Sequence, residues 1–215
     1  MIPRIYDNLE PRLKKNKVLV ILGPRRSGKT TLLKNLLKKT KLKYKLDSGD
    51  NLSVQDILKS QRFESILPYL SGYQLFALDE AQHVPNIGMA LKIIVDQIPE
   101  IKVIVTGSST LDLRGQLGEP LVGRKIDLHL FPISQMELMK NYNQYELKNN
   151  LLPQILIYGS YPEVMTAKNM GEKKELIEQI TNTYLLKDIL EFERVKDSKT
   201  IRDLLKLLSF QVGQE

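Results

Sequence analysis

The sequence holds no cysteine, no tryptophan and two histidines, His83 and His129, in 215 residues. Without cysteine there is no disulfide scaffold, no thiolate zinc site and no cysteine nucleophile. Two histidines are too few for a His-rich metal cluster. Long apolar runs are missing as well, since none approaches the ~20 residues that span a bilayer. The opening stretch MIPRIYDNLEPRLKK lacks the apolar centre of a signal peptide. These absences predict a soluble, cytoplasmic protein with no membrane partner. Hydrophobic residues make up 42% of the chain, enough to bury a sizeable core. The length fits one domain, or one domain and part of a second.

Acidic residues are missing from one segment. Residues 11–46 carry 13 Lys/Arg and no Asp or Glu. The formal net charge is +7, so the rest of the chain, with 19 basic and 25 acidic residues, carries −6. A global excess of positive charge points to nucleic acid. A local excess asks which anion sits there. Lys34, Lys38, Lys39, Lys41, Lys43 and Lys45 read as a surface-facing set, the plainer meaning of which is a solvated lysine face.

Hydrophobic patterning organises the chain. Residues 4–15 read as a short helix with Ile5, Leu9 and Leu13 on one face. The run 17–22 (KVLVIL) is a buried strand of the parallel-sheet kind, ending at Gly23-Pro24. A helix over 29–39 turns Leu32, Leu33, Leu36 and Leu37 inward. A second strand covers 42–46, and Ser53 with Asp56 reads as a capping box for the helix after it. Another helix spans 63–70. Strands at 74–78, 102–106 and 125–130 follow, with a helix over 87–97 between the first two. Beyond 133 the pattern is helical: 134–140, 146–157, 172–193 and 200–208. Strands alternating with helices give an α/β fold with a parallel sheet.

Gly23-Pro24-Arg25-Arg26-Ser27-Gly28-Lys29-Thr30 matches G-x-x-x-x-G-K-[ST], the Walker A pattern, between a buried strand and an amphipathic helix. Glycines let backbone wrap phosphate oxygens, and N–H groups at the helix start supply donors and a positive dipole. Lys29 reaches the β- and γ-phosphates, and the Thr30 hydroxyl is the expected Mg²⁺ ligand. Thr31 is grouped with the loop as a nucleotide-binding position. Arg25 and Arg26 contact the nucleotide or are solvated.

The run Leu75 to Leu78 delivers Asp79 and Glu80 at a strand's C-terminal end, a Walker B arrangement and the place where parallel sheets bind ligands. Asp79 is the metal-side acid, and Glu80 is placed to deprotonate an attacking water. Strand four ends in Thr106-Gly107-Ser108-Ser109, whose hydroxyls could bond that water or the γ-phosphate, Ser108 first among them. Arg124 is a candidate for stabilising charge that develops on the γ-phosphate. His83 reads as solvated or locally bonded, and His129 as structural.

The strings GPRRSGKTTLL, LFALDEAQHVPN, VIVTGSSTLDL, EPLVGRKIDLHLFPISQMEL and YGSYPEVM occur in this order. The set resembles prokaryotic AAA+-type ATPases with an N-terminal P-loop ATPase domain and a C-terminal domain of unknown function. The likeness covers nearly the whole chain. The first two strings are generic to P-loop ATPases, whereas the G-R…L-F-P-I-S-x-x-E-L and G-S-Y-P-E-V strings are family-specific. The resemblance implies a five-stranded parallel sheet of order 5-1-4-3-2, flanked by helices, with a helical subdomain behind it. It makes Ser108 or Ser109 the sensor residue and Arg124 a candidate arginine finger or sensor. It brings Tyr161 and Pro162 to adenine from a helical lid. The implied layout is an ATPase core at 1–132, a lid at 133–182, and at 183–215 the opening of a C-terminal region that stops short.

The expected function is ATP binding with Mg²⁺-dependent hydrolysis, as a switch or motor core. A second copy or a protein partner could supply an arginine, as many P-loop ATPases require. A nucleic-acid-binding switch with little turnover is the alternative. A kinase is less favoured, because no Arg-rich lid precedes Lys140. A two-lobed helicase needs two such cores.

Overall fold

The computed structural model describes residues 2–108, 117–185 and 198–212. The central strand β1 (Val18–Gly23) is buried along its whole length, as an unbroken apolar run in a parallel sheet requires. It pairs in parallel with β4 (Lys102–Ser108) on one side and with β5 (Lys125–His129) on the other. Beyond β4 lie β3 (Leu75–Asp79) and the edge strand β2 (Tyr44–Ser48). The sheet order is β2-β3-β4-β1-β5, the expected order read from the other edge.

Alternation along the strands feeds two cores. Val18, Val20, Leu22, Phe76, Leu78, Val103 and Val105 face one side. There they meet α2 (Leu52–Lys59), α3 (Phe63–Leu70) and α4 (Ile87–Gln97) through residues such as Leu58, Ile66 and Leu91. Leu19, Ile21, Ala77 and Ile104 face the other side, against Leu32, Leu33, Leu36 and Leu37 of α1 (Lys29–Lys39). Each such buried Val, Leu, Ile or Phe side chain contributes about 1.5–3 kcal/mol.

Two local expectations fail for physical reasons. Residues 4–15 form turns and one 3₁₀ turn, Glu10–Arg12, instead of a helix. Pro11 removes an N–H and disfavours helical backbone at Glu10, and the Ile5 N–H is taken by Glu137. Leu9 and Leu13 are nevertheless buried, while Ile5 is exposed. At α2 the cap is Asn51, whose side chain accepts from the Ser53 N–H at 2.9 Å. Asn is as good a cap as Ser and sits where the chain leaves its turn.

The short helix α5 (Gln135–Leu138) starts in a capping box of Ser134 and Glu137. Burial pushes the Glu137 carboxyl up. Hydrogen bonds from the Ser134 and Ile5 N–H groups and from Arg4 outweigh that, and the net direction is down. A carboxyl held below its ordinary value of 4.5 stabilises the fold above that pH and loses its contribution as pH falls through the lowered value. Glu137→Gln should therefore flatten the acid limb of a stability–pH curve. A variant curve parallel to the wild-type one below pH 4.5 contradicts this.

The chain forms two compact units, Met1–Pro153 with Ser160–Pro162, and Gln154–Gly159 with Glu163–Glu215. Where described, the second is helical. Met170–Gln179 is capped by Asn169, a π-helical turn covers Ile180–Leu185, and Ser198–Gln211 is a helix. Lys173 donates to Gln154 at 2.7 Å, and Arg202 to Asn182 at 3.2 Å. Towards residue 212, Leu204, Leu208 and Val212 are exposed. The side chain of Ile201 and the later part of the helix expected over 172–193 lie outside the described residues. No helix among the described residues is long and apolar enough to cross a membrane.

Candidate nucleotide-binding site

Parallel register gathers the site. Gly23 pairs with Ser108 and Ile21 with Thr106, while Ser48 pairs with Asp79. The ends of β1, β3 and β4 thus share the C-terminal edge of the sheet, where open α/β sheets bind ligands.

The loop from Gly23 to Lys29 is built around space a side chain would fill. A Cβ at Gly23 would stand 2.2 Å from the Leu130 carbonyl oxygen. Gly23→Ala should therefore destabilise the fold by about 1–3 kcal/mol, the usual cost of overpacking. A denaturation midpoint equal to that of the wild type would show that the backbone yields there. Gly28 has φ 96° and caps α1, a conformation glycine adopts at no steric cost. Arg26, at φ 61°, holds left-handed backbone without that freedom, at a cost of about 1–3 kcal/mol. Such strain gathers at ligand-binding turns.

Lys29 is 4% exposed, and its Nζ donates to the carbonyls of Gly23 at 3.0 Å and Pro24 at 2.9 Å. The Ser27 hydroxyl is buried and makes no hydrogen bond within the described protein. Pro24, Arg25 and Arg26 are half-buried, and Thr31 is exposed on α1. The first N–H groups of α1 lack intrahelical acceptors and sit at the positive end of its dipole. A buried ammonium, a buried hydroxyl and the donors of a helix start suit an anion rich in oxygen.

The acidic side of the site is continuous with the loop. The Thr30 hydroxyl donates to Asp79 Oδ1 at 3.1 Å. The Thr106 hydroxyl donates to the same carboxylate oxygen and accepts the Glu80 N–H at 3.1 Å. Glu80 itself sits in left-handed backbone at φ 52°. Its Oε2 accepts from Gln82 Nε2 at 2.5 Å, and Gln82 Oε1 accepts the Ser108 N–H at 3.3 Å. Gln82 thus links Glu80 to the end of β4. The Gly49 N–H donates to the Asp79 carbonyl at 2.8 Å, and a Cβ on Gly49 would stand 2.2 Å from the Glu80 carbonyl oxygen.

Sequence reasoning gave Gln82 and Gly49 no role, and it named Thr106 only with the hydroxyls that end strand four. Their long-range partners stand 26 to 31 residues away in the chain. No local pattern marks them. Thr106→Val should cost about 1–3 kcal/mol, because it removes the buried hydroxyl that bonds the half-buried Glu80 N–H and Asp79 carboxylate. A thermal shift indistinguishable from zero would remove Thr106 from this role.

Arg124 does not join the cluster. Its carbonyl accepts the Val18 N–H at 2.7 Å, which fixes it at the N-terminal start of β5, at the opposite edge of the sheet. Gly23 is five residues further along β1, about 17 Å at strand rise. The side chain pairs with Asp96 at 2.7 Å, and that hydrogen bond and charge hold the guanidinium above its already high ordinary value. A residue just before a parallel strand lies at the wrong edge to reach a phosphate held after one. Ser109 lies outside the described residues. His83 is locally bonded, with Nδ1 2.5 Å from Asp50 Oδ1. His129 stacks on Phe131 at 6.2 Å between centroids. Pro162 does approach the loop, 3.8 Å from where a Gly28 Cβ would stand. Burial raises the neighbouring Tyr161 hydroxyl above its ordinary value.

Thr30 and Asp79 present a hydroxyl and a carboxylate, hard oxygen donors of the kind Mg²⁺ takes. Among the described residues no group of three or more His, Cys, Asp or Glu could hold a metal ion. A divalent ion here would draw most of its shell from water and phosphate, as Mg²⁺ usually does.

A parallel sheet of this order, with a glycine-rich loop between β1 and α1, defines a nucleotide-binding, ATPase-like protein of the P-loop NTPase fold. A family model described as an AAA domain matches residues 15–139, and one for a domain of unknown function matches residues 149–215. The chain belongs to the AAA domain family, joined to that second domain. It is 27% identical over 213 residues to an uncharacterized protein of Haemophilus influenzae, covering 92% of this chain and 52% of the relative. It is 23% identical over 220 residues to an uncharacterized protein of Methanocaldococcus jannaschii, covering 95% and 49%. The chain spans about half the length of these relatives.

Proposed function

We propose that the protein binds Mg²⁺-ATP in the 23–30 loop and hydrolyses it to ADP and phosphate. The observation that carries this reading is the hydrogen-bonded chain from Thr30 through Asp79 and Thr106 to Glu80, which ties the phosphate loop to an acid pair. Lys29 exchanges its carbonyl partners for phosphate oxygens. Thr30 and Asp79 would hold Mg²⁺, which would offset phosphate charge. Glu80 keeps one oxygen on Gln82 and uses the other to accept the proton of the attacking water. That water's oxygen bonds to the γ-phosphorus while the bond to the β–γ bridging oxygen breaks. Ser108, which pairs with Gly23 across the sheet, is our candidate to sense the γ-phosphate. Arg124 can serve such a site only from a neighbouring copy, because its own loop lies at the other edge of the sheet. We read 133–182 as the lid and 183–215 as part of the C-terminal region.

The test is phosphate release from ATP with Mg²⁺ and no acceptor present. Release that vanishes with a chelator supports hydrolysis, and transfer only to an added acceptor supports a kinase instead.

A second reading rests on exposed charge. Lys34, Lys38, Lys39, Lys41 and Lys43 are exposed, while Lys45 lies 4.4 Å over the Tyr69 ring. Nucleic acid bound through these lysines would be released steeply by salt. Failure to bind DNA at ~50 mM salt would end this reading.

A further inference from the structure

The family-specific string Phe131-Pro132-Ile133-Ser134-x-x-Glu137 has no part in the nucleotide chemistry above, yet it carries a buried acid. Glu137 is 3% exposed. Its Oε2 accepts the Ser134 N–H at 2.9 Å and the Ser134 hydroxyl at 3.2 Å. Its Oε1 accepts the Ile5 N–H at 2.7 Å and Arg4 Nε at 2.9 Å. The carboxylate is therefore fully committed, and it anchors Arg4.

The rest of the guanidinium reaches elsewhere. Nη2 donates to the Phe131 carbonyl at 2.6 Å. Nη1 donates at 2.8 Å to the carbonyl of Ser27, inside the phosphate loop. The same Nη1 would stand 3.5 Å from a Cβ at Gly28. The Arg4 side chain is 11% exposed, and its bond to Ser27 is partly buried. An arginine fork fits three acceptors in fixed directions, whereas lysine offers a single point charge.

The bonded carbonyl belongs to the Ser27–Gly28 peptide. In a trans peptide the C=O and N–H point in opposite directions. Holding the Ser27 C=O toward Arg4 turns the Gly28 N–H away from it. Successive loop N–H groups are what an anion takes from such a turn. Gly28 is also the residue at which this peptide could most readily rotate, since glycine enters either sign of φ freely. A clamp from outside the loop removes that freedom.

We propose that Arg4, anchored by Glu137, is a positioning residue that fixes the Ser27–Gly28 peptide so that the loop is set for phosphate. The proposal rests on the reading of the 23–30 loop as a phosphate site. It assigns the N-terminal segment and the F-P-I-S-x-x-E string one joint purpose: presetting the loop.

The test titrates the full chain with a fluorescent ATP analogue and, separately, with inorganic tripolyphosphate. Wild type, Arg4→Ala and Arg4→Lys are compared, and ligand-free melting is recorded for each. Arg4→Ala should weaken both ligands about tenfold, the worth of one charge-assisted hydrogen bond. Arg4→Lys should recover only part of the loss. A merely structural pin would lower the melting temperature and leave affinity alone, so Arg4→Ala binding within twofold of wild type overturns the proposal. If Arg4→Ala does not fold, Arg4→Lys at wild-type affinity overturns it instead. Arg4-dependent binding of tripolyphosphate without binding of the ATP analogue sinks the ATP reading and leaves the Arg4 role standing. Binding of neither ligand to the wild type overturns both.

Discussion

Lys29→Ala is expected to lower affinity for ATP at least a hundredfold. Lys29 has little access to water, and its ammonium sits on two carbonyls of its own loop. Neutral carbonyls are modest partners for a full charge. Phosphate oxygens are better ones, and each charge-assisted hydrogen bond contributes about 1.5–3 kcal/mol. Two such bonds give at least about 3 kcal/mol, a factor of about a hundred. The variant should still fold, because the side chain removed fills no apolar core position; Leu32, Leu33, Leu36 and Leu37 do that on α1. Lys29→Arg should not restore binding, since a planar fork does not replace a compact ammonium. Titration with a fluorescent ATP analogue measures both variants. Affinity within threefold of wild type would place Lys29 outside the phosphate site.

Glu80→Gln is expected to keep ATP binding within about twofold while turnover falls by roughly 10²–10⁴, the usual share of a general base. The two side chains have the same shape. A glutamine oxygen still accepts from Gln82 Nε2, and the Glu80 N–H still reaches Thr106. What disappears is the capacity to take a proton at neutral pH. Single-turnover phosphate release alongside analogue binding separates the two effects. Turnover equal to wild type would remove Glu80 from the role, and loss of binding would make it a binding residue.

The parts of this molecule legible in its sequence are those encoded locally. KVLVIL became β1 because a continuous apolar run has to be buried on both faces. The helices Lys29–Lys39, Phe63–Leu70 and Ile87–Gln97 run over the residues that periodicity assigned to them. The 23–30 loop announces itself through glycines whose need is steric, as Gly23 against Leu130 makes plain. The N-terminal stretch was illegible for the opposite reason. Ile5, Leu9 and Leu13 keep helical spacing, but the backbone follows Pro11 and the pull of Glu137 on Arg4 and Ile5.

Site residues divide the same way. Thr30 and Asp79 lie 49 residues apart and are joined by a hydrogen bond. Thr106, Gln82 and Arg4 carry no motif of their own, and their roles exist only once strands pair and loops close. Arg124 shows the converse. Its motif is visible in sequence, but which edge of the sheet it occupies depends on whether it precedes or follows β5. The charge follows this division too. Of the basic excess in residues 11–46, Lys29 is buried at the loop, while most of the lysines beyond it lie on the surface.

The most direct test of the central claim is a crystal structure of the chain with a nonhydrolysable ATP analogue and Mg²⁺. The account predicts β- and γ-phosphates inside the 23–30 loop, with Lys29 Nζ moved from the Gly23 and Pro24 carbonyls onto phosphate oxygens. It predicts the metal on the Thr30 hydroxyl, with Asp79 beside it. An analogue bound elsewhere, or bound at the loop while Lys29 keeps its carbonyl partners, would contradict it.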